Sequence, residues 1–402
     1  MKHMITVKDI LARPQFKKFH LVSGQRGLCN PVVSAGFFEW ETGPAIEASF
    51  PKNEFVITTL SAAKDNPLDM EVALTRLIQC RVAAIAIKKV YFTQIPNTIY
   101  DLSNQHNIPI LFFDNLYVDE VLFDLKTAIR ENDAKYQRSI VNKLLSNPSS
   151  SPENQKKLAL QLNPAFEQYL LFCAFISEES EDNTALERLD KAEDLLDSEQ
   201  SEHSNSRING LIQLKNYRYT ILPYKGGTLC LCTAGELQLF NKLQVQCFLR
   251  SCSLPLKNHI IGISLQNAGL HTISKAIYEA IYANISCKID HVPCLEFSET
   301  GIDRFLCPAS ESAWTKNYFM DLMERITPSE GAPDIFLKTL ITYVKCGGNV
   351  VLTSKSMYQH SNTIRYRLSK IQELWNTQND IDFDTQARLF SRLYYLYQFE
   401  KL

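Results

Sequence analysis

Hydrophobic positions change their period along the chain, and the changes mark three regions. In the N-terminal part, apolar runs rich in branched and aromatic residues (54–60, 82–87 and 108–113) alternate with stretches at helical spacing, 68–80 and 96–105. Strand and helix in alternation predict a small parallel sheet covered by helices. Further on, residues 169–176, 217–222, 228–232 and 260–264 read as strands, with helices over 237–252 and 270–283. Pro223, Tyr224, Lys225, Gly226 and Gly227 join the second and third of these strands as a hairpin.

Beyond residue 334 the period is helical. Phe336, Leu340, Ile341 and Val344 form one helix, and Gly347-Gly348 ends it near Cys346 by allowing the left-handed conformation. Asn349 offers a side-chain oxygen to the free amides of a second helix that runs through Leu352 and Met357 to the turn Tyr358-Gln359-His360. Ser361 or Asn362 can cap a third, whose apolar stripe is Ile364, Leu368, Ile371 and Leu374. Asn362, Thr363, Arg365, Tyr366, Arg367 and Lys370 fall mostly off that stripe. The last segment is apolar at Ala387, Leu389, Phe390, Leu393, Tyr394, Leu396 and Tyr397, so it should pack on these helices or on a second protomer.

Between the first two regions a long helix is expected over 117–145. Val118, Leu122, Leu125 and Ile129 recur at intervals of four, three and four, which suits either a dimer seam or packing on the helix's own domain. Pro148 and Pro152, with serines between them, then predict a linker and a domain boundary.

Charge changes the picture at the C-terminus. Residues 334–375 hold six Lys/Arg against two Asp/Glu, a local +4 in a chain of formal net charge −2. Arginine pairs with guanine and asparagine with adenine in the major groove, so Asn362, Arg365 and Arg367 on an early helical turn suit base reading. Lys338, Lys345, Lys355 and Lys370 can hold phosphates. The alternative on pattern alone is a three-helix bundle with a solvated basic face.

In parallel sheets ligands sit beyond the carboxyl ends of the strands. Here that means Thr58, Thr59 and Ser61, then Lys88, Lys89 and Tyr91, then Asp114, a set suited to a small polar metabolite if these are not simply solvated loop ends.

The C-terminal residues resemble the helix-turn-helix of the PucR-type (purine-catabolism) regulators and their CdaR-like relatives. Gly347, Gly348, Asn349, His360, Asn362, Thr363, Arg365, Tyr366, Arg367 and Leu368 carry the resemblance. Ser361 departs from it, since a basic residue is usual there. The resemblance implies a DNA-binding set of Asn349, His360, Ser361, Asn362, Thr363, Arg365, Tyr366, Arg367 and Lys370. About the first 115 residues, from Thr6-Val7-Lys8-Asp9-Ile10-Leu11 through Thr58-Thr59 to Ile108-Pro109-Ile110-Leu111, resemble the PucR-like N-terminal domain, which implies effector sensing. Leu60 stands where a glycine commonly follows the threonines. Residues 261–264 followed by 276–280 resemble the degenerate GGDEF-like domain of CdaR-type regulators. Thr228, Leu229 and Cys230 follow Gly226-Gly227 where a nucleotide cyclase needs metal-holding carboxylates, so no enzyme activity is expected.

Length and composition fit this organisation. At 402 residues and 45% hydrophobic, two or three domains are expected. With no apolar stretch of eighteen and no apolar leader in the first residues, a cytoplasmic protein without membrane contact is expected. Eleven cysteines without C-x-x-C spacing read as reduced thiols, and Cys287, His291 and Cys294 lack the knuckles of a zinc site, so no metal or cofactor is expected. The acidic run 178–202, with eleven carboxylates against Arg188 and Lys191, reads as a solvated insertion.

The expected fold class is therefore multi-domain α/β and α+β. A small parallel α/β domain (1–116) is followed by a linking helix and linker (117–152), a GGDEF-like α+β domain (160–295) and an all-α helix-turn-helix domain (328–402). The expected function is transcriptional regulation of a metabolic operon, with double-stranded DNA, a homodimer or higher homo-oligomer and a small-molecule effector as partners. The alternatives are a regulator driven by protein contacts and a nucleotide-processing enzyme.

Overall fold

The computed structural model describes residues 4–39, 44–148, 150–178, 214–254, 256–266, 269–327, 334–377 and 379–399. The acidic run thus lies outside the described residues beyond Glu178. The chain divides into two compact units, Met1–Ile140 and Val141–Leu402.

The first unit is built on five strands, β1 (His20–Ser23), β2 (Ser34–Phe38), β3 (Glu54–Thr58), β4 (Ala84–Lys88) and β5 (Ile110–Phe113), in the order β1-β5-β4-β3-β2. Strands β2 to β5 are parallel and β1 is antiparallel to β5. The purely parallel sheet expected from the apolar runs is thereby corrected. The two strands that were missed are edges, short and only partly buried, so they lack the continuous apolar run of a strand covered on both faces.

Period-2 alternation sends Val56, Ile85, Ile87 and Phe112 to one face, against Leu74, Leu77 and Ile78 of α3 (Pro67–Gln79) and Ile99 of α4 (Asn97–His106). Helix α1 is Val7–Leu11 and α2 is Pro44–Ser49. Phe55, Ile57, Ala86 and Leu111 face the other way, onto Val7 and Ile10 of α1 and onto α5 (Val118–Ser146). Leu125 of α5 is buried there, with Val118, Leu122 and Ile129 packed beside it. That stripe is therefore the helix's contact with its own domain.

The second unit contains α6 (Pro152–Leu162) and a second five-stranded sheet. Its strands are β6 (Tyr169–Glu178), β7 (Arg218–Tyr224), β8 (Gly227–Ala234), β9 (His259–Ile263) and β10 (Cys294–Glu296), in the order β10-β9-β6-β8-β7. Only the β9/β10 pair is parallel. The hairpin turn is Lys225-Gly226, both at positive φ (41° and 71°), the geometry whose twist matches a two-residue connection.

Helix α7 (Lys242–Ser251) covers one face with Val245, Phe248 and Leu249. Helix α8 (Ile273–Asp290) lies against the other, where Asn284 donates to the carbonyls of Phe175 and Ile260 and accepts from Ser177. A glycine at 262 is what lets α8 approach. A Cβ there would sit 2.2 Å from the Ala280 carbonyl oxygen and 2.2 Å from the Asn284 nitrogen. Gly262→Ala is thus expected to destabilise the chain by about 1–3 kcal/mol in urea unfolding, because α8 has to shift; a midpoint equal to the parent's would contradict this contact.

Cys173, Cys230, Cys232, Cys287 and Cys294 are buried free thiols in this unit. Burial also pushes the Cys252 thiol up to about 11, far from thiolate character at neutral pH.

The chain continues as six helices among the described residues: α9 (Asp303–Ser310), α10 (Ala313–Ile326), α11 (Ile335–Lys345), α12 (Val350–Ser356), α13 (Ser361–Trp375) and α14 (Asp380–Phe399). Leu306, Phe319, Leu322, Leu340, Ile364 and Phe390 share one core. Ala387, Phe390, Leu393 and Leu396 of α14 are buried in it, so the last apolar segment packs on the helices before it. That core also takes in Tyr282 and Ala283 of α8. Among the described residues, no helix is long and apolar enough to cross a membrane.

Candidate nucleic-acid interface

Helix α11 ends through Gly347 and Gly348, at φ 69° and 84°. Their amides donate to the carbonyls of Val344 (3.0 Å) and Tyr343 (2.9 Å), the paired bonds of a left-handed C-terminal cap. Asn349 then accepts from the amides of Val351 (2.9 Å) and Leu352 (3.1 Å) and opens α12. Its oxygen is consumed by the fold. Asn349→Ala is expected to lower stability by about 1 kcal/mol in thermal unfolding, as loss of a helix cap does.

Helix α12 closes in the same way at Tyr358, a tyrosine at φ 55° whose side chain is 93% exposed. The sequence marked this residue only as a turn. Its ring projects into solvent just ahead of α13, and only its position between two caps hinted at that.

The cap of α13 is His360, one residue earlier than expected: its Nδ1 accepts from the Asn362 amide at 3.2 Å. Ser361 is taken up otherwise. Its hydroxyl lies 3.1 Å from that of Ser354, so it ties α13 to α12.

On α13 itself, Asn362, Arg365 and Tyr366 are exposed, and Arg365 Nη1 donates to Asn362 Oδ1 at 3.2 Å. Thr363 is half-buried. Arg367, expected beside them, turns back and donates to Thr339 Oγ1 of α11 at 3.4 Å. Lys370 pairs with Glu373 at 2.7 Å. On the packed side Ile364, Leu368 and Ile371 are buried as expected and Leu374 is partly buried against the same core, which also takes in Trp375, its Nε1 donating to the Leu322 carbonyl at 3.0 Å. Lys338, Lys345 and Lys355 are exposed on α11 and α12.

In the first unit, the carboxyl ends of β3, β4 and β5 lie side by side. Thr58 is buried, with its hydroxyl accepting from the Leu60 amide at 2.8 Å. Leu60 is buried at φ 58°, so it adopts the left-handed conformation that a glycine would take without strain. Thr59 donates to Glu39, a carboxylate after β2 that the sequence did not single out.

Ser61 is half-buried, while Lys89, Tyr91 and Asp114 are exposed. Lys88 lies 5.7 Å from the centroid of the Tyr117 ring, and Asp114 accepts from the Asn115 amide at 2.7 Å. Thr58 thus serves the fold, and the other six candidates stand at one end of the sheet.

Two family descriptions match this chain, the purine catabolism regulatory protein-like family over residues 9–129 and the PucR C-terminal helix-turn-helix domain over residues 336–393. Residues 9–129 and 336–393 thus match the N-terminal and C-terminal domains of PucR-type regulators.

The Purine catabolism regulatory protein of Bacillus subtilis (strain 168) is 24% identical over 168 residues, which are 42% of this chain and 28% of that relative's length. The crystal structure of a regulator of polyketide synthase expression from Bifidobacterium adolescentis is 16% identical, covering 65% of this chain and 92% of that one with a TM-score of 0.27. The PucR helix-turn-helix match takes in all of α12 and α13, and with them the exposed Asn362-Arg365 pair.

Proposed function

We propose that this PucR-type chain regulates transcription by laying α13 in the DNA major groove. One observation carries the reading: Asn362 and Arg365, an amide and a guanidinium suited to adenine and guanine, stand exposed on the first turns of a helix whose opposite side is buried. Thr363 and Tyr366 flank them. Lys338, Lys345, Lys355 and Lys370 supply phosphate contacts, whereas Asn349, His360 and Ser361 hold the helices in place and Arg367 braces α13 on α11.

A single module of this size has a small footprint, which favours a homodimer on two half-sites. The targets are a metabolic operon, a reading supported by the name of the B. subtilis relative, a purine catabolism regulatory protein. Thr59, Ser61, Lys88, Lys89, Tyr91 and Asp114 at the sheet end receive a small polar effector. The segments 1–116, 117–152, 160–295 and 328–402 serve as sensor, linker, GGDEF-like and DNA-binding parts. The order β9-β6-β8-β7 and the Lys225-Gly226 hairpin support the GGDEF-like reading, and the hairpin's lack of carboxylates argues against catalysis.

Fluorescence anisotropy of the full chain with DNA from upstream of its own gene tests the proposal. Binding should be saturable and should weaken as salt rises. Equal affinity for that DNA and for scrambled DNA would contradict base reading.

A further inference from the structure

The second unit holds a cavity of about 650 Å³ outside both sites described above. Leu145, Phe175, Ile281 and Ile285 form its apolar walls. Three tyrosines stand among them with their hydroxyls already engaged: Tyr224 donates to Asn142 Oδ1 (3.1 Å), Tyr278 to the Leu145 carbonyl (2.7 Å) and Tyr282 to Glu311 (2.7 Å). Their rings are thereby fixed as flat walls.

The charged donors facing this space are Lys225, at the hairpin, and Lys288, in the last turn of α8. Lys288 is half-buried and has no carboxylate partner among the described residues. Burial lowers its pKa, the mark of an ammonium held away from water without a counter-charge. Such a group is costly until an anion reaches it. The size is that of a site for a small molecule, about 300–1,000 Å³.

We propose that this cavity binds a small planar organic anion, an aromatic or heteroaromatic carboxylate, with its ring against Phe175, Tyr278 and Ile281 and its carboxylate on Lys288. The Glu311 carboxylate, held by Tyr282, repels a second acidic group at that side and favours a monoanion. Helix α8 also carries Asp290, which binds Arg392 of α14, so one helix touches both the ligand and the helix-turn-helix core. This site is independent of the effector set at the N-terminal sheet end.

The test is calorimetric titration of the full chain with 1-naphthoate and with its neutral counterpart 1-naphthamide. Naphthoate should bind saturably, about tenfold or more tighter than the amide, as expected for one charge-assisted contact. Lys288→Met should erase that difference while melting no lower than the parent, because it removes an unpaired, partly buried charge. Ile281→Trp should fill the cavity and weaken both probes, and Lys88→Ala/Lys89→Ala should leave both unchanged. The proposal is overturned by the absence of saturable naphthoate binding at millimolar probe, by undiminished binding in Lys288→Met, or by loss of binding in Lys88→Ala/Lys89→Ala instead.

Discussion

The variant Asn362→Ala/Arg365→Ala is expected to lose about 2–6 kcal/mol of affinity for its operator while melting at the parent's temperature. Each good bidentate contact to a base edge discriminates by about 1–3 kcal/mol, and two are removed. The two side chains touch each other, so the single changes should not sum to the double. Neither is buried, which is why stability is expected to hold.

Arg367→Ala should behave differently, because its Nη1 reaches back to Thr339 of α11: stability falls with the affinity, and sequence preference is retained. Competition titrations against operator and scrambled DNA separate these outcomes. An equal loss on both DNAs in the double variant would reassign Asn362 and Arg365 to phosphate contacts.

The second large effect concerns Arg392. Its Nε donates to Asp303 Oδ1 at 2.7 Å and its Nη2 to Asp290 Oδ2 at 2.9 Å, joining α14 to the start of α9 and the end of α8. Burial works against the guanidinium charge, but the two carboxylates outweigh it and its pKa is raised. The Asp303 side chain is fully buried and is otherwise met by the Ser286 hydroxyl.

Arg392→Met therefore strands a buried carboxylate, and the expected loss is about 3–5 kcal/mol in urea unfolding. Adding Asp303→Asn to that variant should restore part of the loss, since an amide does not need a counter-charge. If the double variant is less stable than Arg392→Met alone, the cost lies in lost packing instead of in the stranded charge.

What the sequence made legible depended on how local the signal was. The Gly347-Gly348 stop, the Asn349 cap and the Ile364-Leu368-Ile371 stripe are written within a few residues of where they act, and the structure places each as read. The cap of α13 went to His360, because an imidazole nitrogen is an acceptor that propensity rules overlook. Trp375 joined Leu374 on the packed side, anchored by the Leu322 carbonyl, 53 residues away in sequence, which accepts from its indole.

Arg367 looked free for the same reason, as nothing near it in sequence announces Thr339. Strands β1 and β2 escaped because edges need little apolar content. Of the sheet-end candidates, only Thr58 is withdrawn inside, and Glu39 joins them from a loop that alternation alone does not mark. The cavity beside Lys288 was beyond any local reading, since its walls come from residues between 142 and 311.

The outer face of α13 is proposed to read DNA. The most direct test titrates full-length protein and the Asn362→Ala/Arg365→Ala variant onto DNA upstream of the protein's own gene at several salt concentrations. The parent is predicted to bind with log affinity falling linearly against log salt, and the variant to keep nearly the same slope at much lower affinity, because the phosphate-holding lysines remain. Parent and variant binding with the same affinity at every salt concentration would contradict the claim.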